Sequence, residues 1–157
     1  MSRLADAGVS IDLPTGWEGR IRRVAEPAGG WAADAAAPTR VLLHAASFAL
    51  PTPMGDYGSG AVERMGPPDV LLCLLESDPE EASLPVFART GVPRVRADDL
   101  SPTQMQRPIA GLLGAQMFFQ EAGRTFCLYV VVGSTRGRDG LARTADGVVQ
   151  TLVIEPA

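Results

Sequence analysis

Three residues have the types needed for nucleophilic catalysis. Ser59 lies in a Gly-Ser-Gly sequence, and Asp56 and His44, the only histidine of the chain, precede it. A hydroxyl, an imidazole and a carboxylate can act as nucleophile, base and orienting group. Ser59 nevertheless lacks the strand-Gly-X-Ser-X-Gly-helix context of a nucleophile elbow. A serine before a short helix is commonly a cap. The sequence therefore predicts a cap at Ser59, a structural role for His44 and no catalytic residue.

A second candidate is an anion site in residues 133–138, which read Gly-Ser-Thr-Arg-Gly-Arg just before a predicted helix. A helix N-terminus offers backbone N–H groups and the positive end of the helix dipole. Ser134, Arg136 and Arg138 would contact the anion. The spacing differs from that of a phosphate-binding loop, which needs Gly-Lys-Ser/Thr. The alternative is a solvated loop without a ligand.

Two pairs of neighbouring carboxylates, Glu80–Glu81 and Asp98–Asp99, do not favour acid–base chemistry. Adjacent side chains of a strand point to opposite faces, so Asp98 and Asp99 would not converge there. The glutamates follow Asp78-Pro79, which together read as a capped helix start.

The two cysteines, Cys73 and Cys127, each lie inside an apolar run. Their spacing matches no metal motif, and a single histidine adds too few ligands for a metal cluster. We therefore expect no metal and no cofactor. The sequence predicts two buried, reduced thiols, with a disulfide as the alternative.

Composition limits the function classes. The chain has 157 residues, the size of one domain, and 46% of them are hydrophobic. Its net charge of -4 argues against nonspecific nucleic-acid binding, which needs a basic surface. No apolar run approaches the roughly 20 residues of a membrane span, and the N-terminus lacks an apolar signal core. A cytoplasmic location is expected. All 14 basic residues are arginine, which indicates the codon bias of a GC-rich genome.

Two hairpins organise the predicted fold. Residues 9–13 and 17–21 alternate apolar and polar side chains around Pro14-Thr15-Gly16, which predicts a first hairpin with Trp17 buried on its apolar face. Residues 112–121 and 124–132 predict a second hairpin around Ala122-Gly123. In that register Phe119 faces Phe126, an ion pair joins Glu121 and Arg124, and helices cover both apolar faces.

The other elements follow from local patterns. Strands are predicted at 40–50, at 69–76 as a central strand and at 151–154, with a short helix at 61–65 and a C-terminal helix at 139–149. The sequence leaves 85–107 unassigned. The predicted class is α+β, with an antiparallel sheet of about six strands flanked by the C-terminal helix and short helices.

Both ends of the chain resemble the PsbP-like fold. The resemblance rests on Gly-Val-Ser-Ile-Asp-Leu-Pro-Thr-Gly-Trp at 8–17 and on the ending, an aromatic hairpin followed by Gly-Ser at 133–134, a helix and Thr-Leu-Val-Ile at 151–154. A photosystem extrinsic subunit, a Ran-binding nuclear import factor and actinobacterial proteins share this fold. The resemblance implies an antiparallel sheet between helices and a binding or assembly role. It implies no site residues, because such proteins share no catalytic set.

The expected function is a non-enzymatic protein-interaction or assembly module. Loops 25–39 and 51–60 carry Trp31 and Tyr57, and aromatic side chains on loops are common contact anchors. Trp31 is expected to be exposed. The alternative is a small-molecule or anion-binding protein, with a degenerate enzyme as one form of it. The expected partner is a protein and not nucleic acid or a membrane, and the sequence leaves self-association open.

Overall fold

The structure is a computed structural model and describes residues 1–25 and 39–157. Within these ranges the chain forms eight strands, one α-helix and several short 3-10 helices. The strands are β1 (Ser2–Asp6), β2 (Val9–Leu13), β3 (Glu18–Ala25), β4 (Thr39–Ala46), β5 (Val70–Glu76), β6 (Leu113–Glu121), β7 (Arg124–Val132) and β8 (Val153–Ile154). The helix is α1 (Arg138–Val149), and the 3-10 helices are Val62–Arg64, Pro79–Ser83, Pro85–Phe87, Ala97–Asp99 and Pro102–Gln104.

The strands of the described ranges form two antiparallel sheets. One has the order β1-β2-β8, and the other has the order β3-β4-β5-β7-β6. The α+β class is therefore confirmed, with the strands divided between two sheets. In the part of the chain that is described, no helix is long and apolar enough to cross a membrane.

The five-stranded sheet is apolar on both faces. On the face that we call the helix face, the sheet packs against α1, β2 and β8, and this forms the larger core. The opposite face, which we call the groove face, is covered by irregular segments that contribute Leu50, Val62, Met105 and Leu112. Helices were predicted on both faces, so this second cover differs from the prediction. Continuous apolar strands such as β5 and β7 are typical of sheets that are buried on both sides.

The predicted first hairpin is wrong. β2 pairs with β1, so that Ile11 lies opposite Leu4, while β3 pairs with β4 in the other sheet. The turn that reverses the chain is Ala7-Gly8, whose φ angles of 50° and 80° are both positive, as a tight two-residue hairpin requires. The 14–17 turn only redirects the chain from one sheet to the other. Trp17 is half-buried against the larger core and not fully buried.

The second hairpin is confirmed residue for residue. β6 and β7 pair with Phe119 opposite Phe126, and the two rings stack with their centroids 5.5 Å apart. Glu121 lies opposite Arg124 in this register, but the predicted ion pair between them is wrong. Arg124 turns back into the protein and binds Glu76 of β5.

Several local predictions hold. The central strand, the C-terminal helix and the last strand are present as β5, α1 and β8. The strand at 40–50 ends earlier, at Ala46. Asp78 caps the 3-10 helix that follows it, as predicted, and in the unassigned segment Ser101 caps the 3-10 helix Pro102–Gln104. The 61–65 segment forms a 3-10 turn without a side-chain cap, so the predicted cap at Ser59 is wrong. Trp31 lies outside the described residues.

Candidate functional site

A half-open groove lies on the groove face of the five-stranded sheet. Its floor is one cross-strand row of four side chains. Leu42 of β4 lies opposite Leu75 of β5, Leu75 lies opposite Cys127 of β7, and Cys127 lies opposite Phe118 of β6. Side chains on one such row point to the same face, so the register alone assembles an apolar strip across four strands. The cavity above this strip has a volume of about 400 Å³.

Polar groups surround the apolar floor. Asp56 and Tyr57 of the 51–60 loop form one wall, and Arg40, Glu76 and Ser77 line the cavity from strand ends. The carboxylate of Asp56 also lies 3.6 Å from the guanidinium of Arg22 on β3. The groove thus combines an apolar base with charges of both signs at its edge.

The neighbouring cross-strand row is closed by Tyr57. This row contains His44, Cys73 and Tyr129, all fully buried. The Tyr57 ring packs edge-on against Tyr129 with centroids 5.5 Å apart. The Tyr129 hydroxyl accepts a hydrogen bond of 2.9 Å from the backbone N–H of Gln106. Among the described residues, Tyr57 therefore covers the row of His44, Cys73 and Tyr129, whereas the floor row lines the cavity.

Burial makes the thiols weakly acidic. Burial raises the pKa of Cys127 to about 11, and a hydrogen bond with Tyr57 opposes part of this rise. Burial also raises the pKa of Cys73 far above its ordinary value. Both cysteines are free, as predicted. Because the thiolate is the reactive form, neither side chain is poised as a nucleophile near neutral pH.

A buried ion pair lies at the end of β5 and faces the three-stranded sheet. Glu76 accepts two hydrogen bonds of 2.8 Å from the Nε and Nη2 of Arg124, and these side chains are 6% and 4% exposed. Glu76 also accepts a hydrogen bond of 2.9 Å from the backbone N–H of Val41. Arg124 Nη1 donates to the carbonyls of Ala7 and Glu155, at the edge of the other sheet. The pair fixes β4, β5 and β7 to the three-stranded sheet.

The candidate triad is not assembled. His44 makes a 2.8 Å hydrogen bond through Nε2 with the backbone carbonyl of Asp56, not with its carboxylate. Burial lowers the pKa of His44, which keeps the ring neutral. Ser59 is exposed, and its backbone carbonyl accepts from the N–H of Gly55. His44 thus holds the 51–60 loop against the sheet.

The candidate anion loop precedes α1 as predicted. The hydroxyl of Ser134 accepts a 2.9 Å hydrogen bond from the N–H of Gly137, so it caps the turn. Arg136 and Arg138 are exposed. The loop lies apart from the groove residues, and its role as an anion site stays a prediction.

Of the two predicted partner-contact residues, Tyr57 lies at the groove and Trp31 is outside the described residues. The floor residues were not predicted from the sequence. Half of the floor row could have been predicted, because the register of the β6–β7 hairpin places Phe118 opposite Cys127. The rest of the row depends on pairings between strands that are distant in sequence. Across residues 1–25 and 39–157, no group of three or more potential metal ligands is found.

Comparisons of this chain with protein-family models, curated proteins and solved structures give no match.

Proposed function

We propose that this protein is a non-enzymatic binding module and that its groove receives an apolar segment of a protein partner. The observation that carries the proposal is the floor row of Leu42, Leu75, Cys127 and Phe118, which lines a cavity of about 400 Å³ and in which Leu75 and Phe118 are partly exposed. Buried apolar anchors surrounded by a polar rim are the usual energetic centre of a protein interface.

The apolar surface extends beyond the groove, which favours a protein over a small ligand. Phe118 packs edge-on against Phe87, with centroids 5.8 Å apart. Next to Phe87 in the chain, Leu84 and Val86 are 47% and 48% exposed. Large apolar side chains exposed beside a groove are typical of interaction sites.

Two further features support a binding role. The resemblance of the chain ends to the PsbP-like fold implies binding or assembly. The wall residue Tyr57 is held by Tyr129, and the loop that carries it is held by His44. A rigid wall needs less ordering when a partner binds, which favours affinity. The two free thiols suit a reducing compartment, and the cytoplasm is the location that we propose.

The test is capture of partners from cells that produce the protein, with a matched pair of variants. Leu75→Arg places a charge on the floor, whereas Val153→Arg makes the same change at a 45% exposed position on β8. We expect one or more proteins to bind the unmodified chain and Val153→Arg, but not Leu75→Arg. Circular dichroism and melting of each variant control for folding. Equal capture by the two variants would exclude the groove as the contact.

A small apolar ligand is the second candidate for the same groove. The volume of about 400 Å³ favours it, since ligand cavities begin at roughly 300 Å³. A screen by thermal shift separates the two proposals. A ligand present at about 100 times its Kd stabilises the fold by about 2.7 kcal/mol. Stabilisation that Leu75→Arg abolishes, without any captured protein, would favour the small ligand.

A further inference from the structure

A second concave surface lies in the segment that the sequence leaves unassigned. Its cavity has a volume of about 300 Å³. Three arginines, Arg89, Arg94 and Arg96, are among its lining residues. We call this surface the arginine cleft. None of its lining residues belongs to the groove.

Hydrogen bonds to two regular elements hold the cleft in shape. At one end, the N–H of Gln120 on β6 donates to the carbonyl of Arg89, and Gly91 N–H donates to the carbonyl of Gln120, both at 2.8 Å. At the other end, Val95 N–H donates to Asp146 of α1 at 2.8 Å. Gln150 Nε2 donates to the carbonyl of Pro93 at 2.9 Å. The segment is therefore a fixed support for its arginines.

Among the described residues, only one of the three arginines of the cleft forms an ion pair. Arg94 pairs with Asp146 at 2.7 Å. Within residues 1–25 and 39–157, Arg89 and Arg96 make no side-chain ion pair or hydrogen bond with a described residue. Asp99 is the single carboxylate of the lining, and its Oδ2 accepts from the backbone N–H of Arg96. The lining therefore carries three positive charges and one negative charge.

Two carboxylates outside the lining, those of Asp146 and Glu121, bring the local sum to three positive and three negative charges, but among the described residues neither Arg89 nor Arg96 forms an ion pair with a carboxylate. Asp146 lies behind Arg94, and Glu121 lies beside Gly91. Guanidinium groups match phosphate oxygens with paired, charge-assisted hydrogen bonds. We propose that the arginine cleft binds a small phosphorylated molecule, with Arg89 and Arg96 contacting its phosphoryl group and Arg94 held in place by Asp146.

This cleft differs from the loop at the start of α1. Its contacts on α1 are Asp146 and Gln150, and Asp146 lies eight residues after Arg138. At 1.5 Å per residue, this places the cleft about 12 Å along the helix from its N-terminus. Variants of the two regions can therefore separate the two sites.

The test uses inorganic pyrophosphate as the probe and the full chain as the protein. Binding is followed by calorimetry and by the backbone amide NMR signals of Thr90, Gly91 and Val92. We expect saturable binding with a Kd of about 1 mM or tighter at constant ionic strength. The double variant Arg89→Ala/Arg96→Ala should weaken it at least about tenfold. Both side chains are exposed, so the fold of this variant should persist, as its circular dichroism will report.

Two control variants make the result specific. Arg64→Ala/Arg143→Ala removes the same charge from exposed positions elsewhere, and Arg136→Ala/Arg138→Ala removes it from the loop before α1. Both controls should retain binding. Absence of saturable binding, equal weakening by all three variants, or equally strong binding of citrate would each overturn the proposal. Loss of pyrophosphate binding only in the Arg136→Ala/Arg138→Ala variant would also overturn the proposal, because it would place the binding site in the loop before α1.

Discussion

The substitution Arg124→Met should destabilise the protein strongly. Arg124 makes two hydrogen bonds of 2.8 Å to Glu76, and it donates to the carbonyls of Ala7 and Glu155 at 3.0 and 3.1 Å. Methionine fills similar space but supplies no donor and no charge. The Glu76 side chain, 6% exposed, would then remain buried without its counter-charge. Removing one partner of a buried ion pair costs roughly 3–5 kcal/mol, so we expect a loss of about 4 kcal/mol.

Urea denaturation measures this loss. With a slope of about 2 kcal/mol per molar urea, the midpoint should fall by about 2 M. As a control, Arg3→Met breaks an ion pair with Asp12 whose side chains are 54% and 30% exposed. Exposed pairs contribute little, so this control should cost less than about 1 kcal/mol.

A double-mutant cycle tests the cause. Glu76→Gln removes the charge but keeps an acceptor for the N–H of Val41. Because the uncompensated carboxylate causes much of the loss, Arg124→Met/Glu76→Gln should be more stable than the sum of the single losses predicts, by at least about 1 kcal/mol. A loss of less than about 1 kcal/mol in Arg124→Met, or strict additivity in the cycle, would refute this reasoning.

Three further predictions concern individual positions. A Cβ at Gly133 would overlap the carbonyl oxygen of Gly66, so Gly133→Ala should lower the free energy of unfolding by about 1–3 kcal/mol in urea denaturation. Gly147 lies in α1 with open space around it, so Gly147→Ala should raise the free energy of unfolding by up to about 1 kcal/mol. Burial lowers the pKa of His44 below 6.5, so the unfolded chain is protonated first and stability falls as pH drops below 6.5. Relative to His44→Gln, this fall should reach at most about 1.4 kcal/mol per pH unit in urea titrations at successive pH values, and parallel pH profiles would contradict it. Burial holds the pKa of Cys127 at about 11, and both cysteines are buried. A thiol-specific chromogenic reagent should therefore label both thiols quickly only after the protein unfolds. Rapid labelling of the native protein would contradict the structure.

The β6–β7 hairpin was predictable because its signals are local and agree with one another. Ala122 and Gly123 adopt φ angles of 54° and 75°, the turn geometry that a two-residue hairpin needs. The flanking strands are long and apolar, so few other registers bury the same side chains. The turn residues and the pattern of the adjacent strands were therefore sufficient to predict this hairpin and its register.

The first hairpin failed because the pattern of 9–13 suits any antiparallel neighbour. On β1, which lies on the other side of the Ala7-Gly8 turn, only Leu4 gives this face an apolar partner, and the face is buried in the larger core instead. The Pro14-Thr15-Gly16 turn has the composition of a hairpin loop but joins strands of different sheets. Turn composition predicts a change of direction and not which strands pair.

The groove was beyond local analysis. Its floor needs β4 beside β5 and β5 beside β7, and these pairings join residues far apart in the chain. Arg124 shows the same limit, because its partner Glu76 lies 48 residues away and not across the adjacent turn. The floor residues and the Arg124–Glu76 pair come together only through the pairing of strands that are distant in sequence.

The most direct test of the groove is an NMR titration of the protein with its captured partner. The account predicts that the backbone amides of the floor row, Leu42, Leu75, Phe118 and Cys127, and of the wall residue Tyr57 shift most. It also predicts that Leu75→Arg weakens the complex at least about a hundredfold while Val153→Arg leaves it unchanged. Shifts confined to the three-stranded sheet, with full binding by Leu75→Arg, would contradict the account.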